Sequence, residues 1–138
     1  MSLQDFSGIP QTRWVAENAL AFAIRDGFPV STGHTLVITK RVVPTWFDAT
    51  DDERRAVMDL VDTVRAQLDE AFHPHGYNVG FDAGAAAGQT VMHLHVHVIP
   101  RYRGDMDDPR GGVRHVISAR GNDLPAPARP LAAGGRED

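Results

Sequence analysis

Three histidines occupy alternate positions in one stretch of the chain: His93, His95 and His97 in VMHLHVHVIP, residues 91–100. Leu94, Val96, Val98 and Ile99 fill the places between and after them. A neutral imidazole can attack an electrophile, exchange a proton near neutral pH, or ligate a metal. A strand has a side-chain period of two, so an extended backbone here puts the three rings on one face and Leu94, Val96 and Val98 on the other. With same-face neighbours roughly 7 Å apart, the rings make a ridge long enough to lie along a phosphate or another small charged group. An ordinary wet strand face would more often carry Thr, Lys or Glu. Zinc binding is the rival chemistry: two neighbouring rings on one ion, a third ligand from elsewhere, and His34 available as a fourth imidazole. His73, His75 and His115 lack such a pattern and are assigned to the surface.

The elements that must hold these rings follow from the flanking sequence. Immediately upstream, Gly84-Ala-Ala-Ala-Gly88 is a small-residue loop, and Gln89 and Thr90 after it are potential hydrogen-bond donors to phosphate oxygens. A plain hairpin connection would also explain the glycines. Asp26-Gly27 and Pro29 to Gly33 signal a turn, which makes Phe22–Arg25 and Thr35–Thr39 an antiparallel pair, with His34 entering the second strand. Residues 13–24 read as two short strands or a helical turn and a strand, and residues 1–12 as an irregular lead-in. Trp46 to Phe72 is helical. Thr50 and Glu53 form a capping-box pattern, Val57, Leu60, Val61, Val64, Leu68 and Phe72 make one apolar stripe, and Pro74 ends the helix near Phe72. Tyr77 to Phe81 reads as a strand, and residues 109–118 as an edge strand or a segment docked across the sheet.

Composition narrows the class. The chain has 138 residues, 42% of them hydrophobic, with no cysteine and a formal net charge of -4. These values suit one domain with its own core, and they provide no basic footprint for sequence-independent nucleic-acid binding. No apolar run reaches the ~18 residues of a membrane span, and the N-terminal stretch lacks signal-peptide character, so a cytoplasmic setting is expected. Residues 119–138, rich in Pro, Ala and Gly, are expected to be a disordered or loosely docked tail beyond a domain of residues 1–118.

The stretch GQTVMHLHVHVIPRYRGD, with GHTLVITK at 33–40 and PRGGVRHVI downstream, resembles the histidine triad superfamily over about residues 22–117. That resemblance implies an α+β fold with an antiparallel sheet of about five strands, one long helix and a shorter helical segment. It also implies action at the α-phosphorus of nucleoside phosphate esters, anhydrides or phosphoramidates, and a homodimer. By position, His95 resembles the nucleophile and His97 the residue that hydrogen-bonds the phosphate or its bridging oxygen. His93 and His34 resemble supporting groups, Gln89 and Thr90 the phosphate-contacting pair, and Asp26 the ribose ligand. Asp82 departs from the pattern, standing where relatives carry Asn or Gln. A carboxylate beside a phosphate repels it unless it points away, is protonated or takes another role, so Asp82→Asn is expected to leave folding intact and tighten nucleotide binding.

The Ile-Pro-Arg after the triad favours the branch that hydrolyses dinucleoside polyphosphates over the phosphoramidate branch. A non-catalytic nucleotide-binding or metal-binding protein is the alternative of a different class. The expected partner is an adenine nucleotide, without nucleic acid or membrane. No resident metal is expected, and no cofactor is required beyond a divalent cation that can accompany the substrate phosphates.

Overall fold

Burial alternates residue by residue along His95–Arg101, with Val96, Val98 and Pro100 inward and the residues between them half-exposed. One face of this strand therefore meets a core. The computed structural model describes residues 4–122. Its strands are β1 (Trp14–Glu17), β2 (Ala21–Arg25), β3 (Thr35–Thr39), β4 (Gly76–Gly80) and β5 (His95–Arg101). They form one antiparallel sheet in the order β1-β2-β3-β5-β4, so β5 is an interior strand.

The single long helix, α1 (Asp51–Phe72), covers one face. Its stripe of Val57, Leu60, Val64 and Leu68 packs on Ala21, Ala23, Val37, Val96 and Val98. Burying each of the larger aliphatic side chains contributes roughly 1.5–3 kcal/mol. The capping box is present in both directions: the Thr50 hydroxyl accepts the Glu53 N–H at 3.1 Å, and the Glu53 carboxylate accepts the Thr50 N–H at 2.9 Å. Glu53 also takes two 2.8 Å hydrogen bonds from Arg41. With those bonds as the main cause, its carboxyl is held down to about 2. The helix ends at Phe72, with His73 in the left-handed region at φ 51°. Trp46–Asp48 forms a separate 3-10 turn with its own capping box on Thr45, which supplies the shorter helical segment.

Three expectations are corrected. The histidine strand does not extend back to Val91: β5 begins at His95, and His93 lies before it. Residues 4–12 are more than a lead-in, because Phe6 is buried against Phe22, Ile24, Leu36 and Ile38 in a second core on the histidine side of the sheet. Of the two readings of residues 109–118, the edge strand falls: residues 112–120 form 3-10 turns, Gly112–Val116 and Ser118–Arg120. The tail expected from residue 119 thus starts with an ordered turn; residues 123–138 lie outside the described residues. Among the described residues no helix is long and apolar enough to cross a membrane.

Candidate active site

The β3–β5 register puts the working histidines opposite apolar partners: Leu36 faces His97 and Ile38 faces His95. His95 and His97 therefore share the sheet face opposite α1. His93 does not join them as a third exposed ring. It is fully buried, with Nδ1 accepting the Phe6 N–H at 2.9 Å and Nε2 2.7 Å from the Thr39 carbonyl oxygen. A backbone N–H can only donate and a carbonyl can only accept, so His93 is neutral with its proton on Nε2. Burial agrees, pushing its pKa below the ordinary histidine value.

The carbonyl of His93 then orients His95. His95 Nδ1 lies 2.8 Å from that oxygen, so Nδ1 carries the proton and donates it. In the neutral ring this leaves the lone pair on Nε2. The Phe6 ring meets His95 edge-on with centroids 5.1 Å apart and limits its rotation.

A second chain of hydrogen bonds sets His97. The Val30 N–H donates to His34 Nδ1 at 3.2 Å, which places the His34 proton on Nε2. That nitrogen is 3.0 Å from His97 Nδ1 and 3.4 Å from Asp26 Oδ2. His97 Nδ1 accepts, and its own proton sits on Nε2, available to a ligand. The pKa values of both rings are lowered, mainly by burial. Neighbouring imidazoles add to this at His97, while Asp26 opposes it at both rings and Asp82 opposes it at His97. Three backbone groups, Phe6 N–H, Val30 N–H and His93 C=O, thus determine the tautomers of four imidazoles.

Asp26, His34 and His97 bring ligand atoms within 4.8 Å of one another. As a cation site the set is poorly matched. An ion would need the lone pair of His34 Nε2, and moving that proton to Nδ1 would set it against the Val30 N–H. Asp26 Oδ1 accepts the Phe28 N–H at 2.8 Å, which fixes the carboxylate at the mouth of a cavity of about 510 Å³. Phe6, Ile24, Leu36 and His95 also line that space. Apolar walls with two carboxylates, Asp26 and Asp82, and two imidazoles, His95 and His97, suit a flat ring system carrying hydroxyls and a phosphate.

The structure separates Gln89 from Thr90. Gln89 is buried, and both its amide protons are committed, to the carbonyls of Pro44 at 2.6 Å and Val91 at 3.1 Å. Its oxygen accepts the Gly84 N–H at 2.8 Å. The expected phosphate donor instead staples the small-residue loop, a correction that follows from its burial among backbone groups. Thr90 is exposed on the cavity wall. Asp82 does not point away: it lines this cavity beside His97. His115, assigned to the surface from sequence, is half-buried and bonds the Arg110 carbonyl through Nε2 at 3.0 Å. Phe6 and the backbone groups escaped sequence reasoning. Backbone donors carry no residue signature, and Phe6 was one apolar residue in an aperiodic segment.

A family model described as the HIT domain matches residues 9–104. The chain belongs to the HIT domain family. The span shared with that family contains all five strands and α1 and stops before the 3-10 turns at Gly112–Arg120. An AP-4-A phosphorylase of Mycobacterium tuberculosis is 36% identical to this HIT domain over 108 residues, covering 74% of the chain and 55% of the relative. A bis(5'-nucleosyl)-tetraphosphatase (asymmetrical) of Schizosaccharomyces pombe is 39% identical over 80 residues, 58% of the chain and 44% of the relative. The chain spans about three-fifths or less of the length of curated relatives such as these. Among solved structures, a hypothetical histidine triad nucleotide-binding protein from Sulfolobus tokodaii superposes with a TM-score of 0.64 at 36% identity. That match covers 70% of this chain and 64% of the other.

Proposed function

We propose that this HIT domain hydrolyses a dinucleoside polyphosphate or a related adenine nucleotide at the α-phosphorus, through a nucleotidyl intermediate on His95. The observation that carries the reading is the tautomer set: a lone pair on His95 Nε2 beside a proton on His97 Nε2. His95 Nε2 attacks phosphorus, forming a P–N bond as the P–O bond to the leaving phosphate breaks. Positive charge then develops on the His95 ring, and its Nδ1–H already donates to the His93 carbonyl, which stabilises that charge without rearrangement. His97 Nε2–H donates a hydrogen bond to a phosphate oxygen. Water next attacks the same phosphorus, the P–N bond breaks, neutral His95 returns, and the water proton passes to solvent.

The leaving group follows from His97. A terminal phosphate has a pKa of about 6 and departs as an anion, so a hydrogen bond is enough. An alkyl amine, with a pKa of about 10, must take a proton. Neutral His97 would become an anion by giving it, which favours anhydride over phosphoramidate cleavage. The names of the two curated relatives support the tetraphosphate class. In this reading Asp26 accepts ribose hydroxyls and Thr90 donates to phosphate. An adenine base and a homodimer, both carried by the family resemblance, and a cytoplasmic setting complete the proposal.

The test is AMP release from diadenosine tri- and tetraphosphate and from an adenosine phosphoramidate, with wild type against His95→Asn. Polyphosphate turnover is expected to fall by roughly three orders of magnitude or more in the variant, as for loss of a nucleophile. A clear preference for the phosphoramidate, or undiminished turnover in His95→Asn, would count against the proposal.

A further inference from the structure

Asp82 is a charged group of the site that the reaction above does not use. Its position is fixed through Phe81, whose ring stacks on Trp46 with centroids 5.3 Å apart and planes 11° apart. The carboxylate lies where the smaller cavity meets a larger one of about 810 Å³, and Asp82 and His97 line both. Among the described residues it has no hydrogen-bond or ion-pair partner, and its charge acts on His97.

Among the described residues, the larger cavity provides no free guanidinium to offset a polyanion. Its walls are mostly apolar, Val79, Ile99, Met106 and Val113 among them, and Arg101, its one arginine among the described residues, is bonded through all three guanidinium nitrogens. Arg101 Nε and Nη2 each meet an Asp105 oxygen at 2.8 Å, and Nη1 meets Asn78 Oδ1 at 2.6 Å. Its two remaining imidazoles, His34 and His115, are bonded inside the protein. Arg13 is exposed at the wall of the smaller cavity, whose other residues suit the nucleoside. With the nucleoside held beside Asp26, the phosphates beyond the α-phosphorus pass His97 and meet an unpaired carboxylate. A neutral amide at position 82 would donate to those oxygens; a carboxylate can only repel them or share a cation with them.

We infer that Asp82 makes this site select its substrate as a divalent-cation complex, the carboxylate and the leaving phosphates holding one hydrated Mg²⁺ between them. Mg²⁺ suits this arrangement because it keeps several waters and binds through one or two carboxylates plus substrate phosphates. The cation arrives with the substrate, and Asp82 is a specificity determinant. This inference rests on the polyphosphate reading of the site.

Binding without turnover separates the two. In the His95→Asn background, calorimetry measures ATP affinity in EDTA and in excess Mg²⁺, with and without Asp82→Asn, after thermal melts confirm that both proteins fold. Mg²⁺ is expected to tighten ATP by at least about tenfold, or roughly 1.4 kcal/mol, when Asp82 is present. In Asp82→Asn that gain shrinks to about twofold or less on the same scale, and metal-free ATP binds more tightly than before. Asp82→Glu keeps the Mg²⁺ effect. An equal Mg²⁺ gain with and without the carboxylate, an unchanged metal-free affinity, or no ATP binding in either buffer overturns the inference. Failure of wild type to release AMP, with the Asp82-dependent Mg²⁺ effect intact, defeats only the hydrolase reading.

Discussion

His93 is withdrawn from the cavity that His95 and His97 line, yet its two ring nitrogens join Phe6 to Thr39, and its carbonyl sets the tautomer of His95. Removing the ring leaves a buried N–H and a buried C=O without partners, each costing about 1–3 kcal/mol. His93→Ala is therefore expected to lose roughly 2–6 kcal/mol in urea denaturation. His93→Gln, which can accept from Phe6 and donate to Thr39, should recover much of that loss. The same residue carries a pH signature. Burial lowers its folded pKa below the value of about 6.5 that it has when unfolded. The unfolded chain then binds more protons between those two values, so the His93 contribution is fully present above about pH 6.5 and declines as pH falls below it. His34 and His97, shifted the same way, add to that slope. Thermal melts from pH 7.5 to 5.5 should show a smaller drop in Tm for His93→Gln than for wild type, and an identical drop would contradict this account. The period of two made the triad legible from the sequence. That its first member is a buried strut was not legible, because its partners are main-chain groups 87 and 54 residues away.

Helix α1 reaches the site through one glycine. Gly33 precedes His34 with φ 91°, and a Cβ there would lie 3.0 Å from both Leu68 Cδ2 and Phe72 Cδ2. The turn from the Asp26 loop into β3 is thereby pressed against the helix. Gly33→Ala is expected to cost about 1–3 kcal/mol, the range for a strained left-handed residue, and to shift His34 away from His97. A melt and an AMP-release assay should both show losses. Lost stability with unchanged turnover would mean that this contact does not position His34. At this scale the sequence was most informative where side chains act on their own backbone. The Thr50 and Glu53 cap, the stop near Phe72, and the β2–β3 pairing across the Asp26-Gly27 turn all stand in the structure. Local pattern told less about residues 112–120, where Gly111 and Gly112 both have positive φ and the chain turns in 3-10 geometry.

One sheet divides the molecule into two roles. Val37, Val96 and Val98 bind α1 on one face, while His95 and His97 look out from the other over a smaller core that includes Phe6. Alternation along β5 made this division readable from the sequence. Closure of the histidine face by the N-terminal segment was not readable, since it depends on contacts between residues far apart in the chain. The proposed reaction makes two displacements at one phosphorus, and stereochemistry reports their number. With an α-phosphorothioate diadenosine substrate of defined configuration and isotopically labelled water, two successive in-line displacements predict net retention at the α-phosphorus. Net inversion would mean direct attack by water and would contradict a nucleotidyl-His95 intermediate.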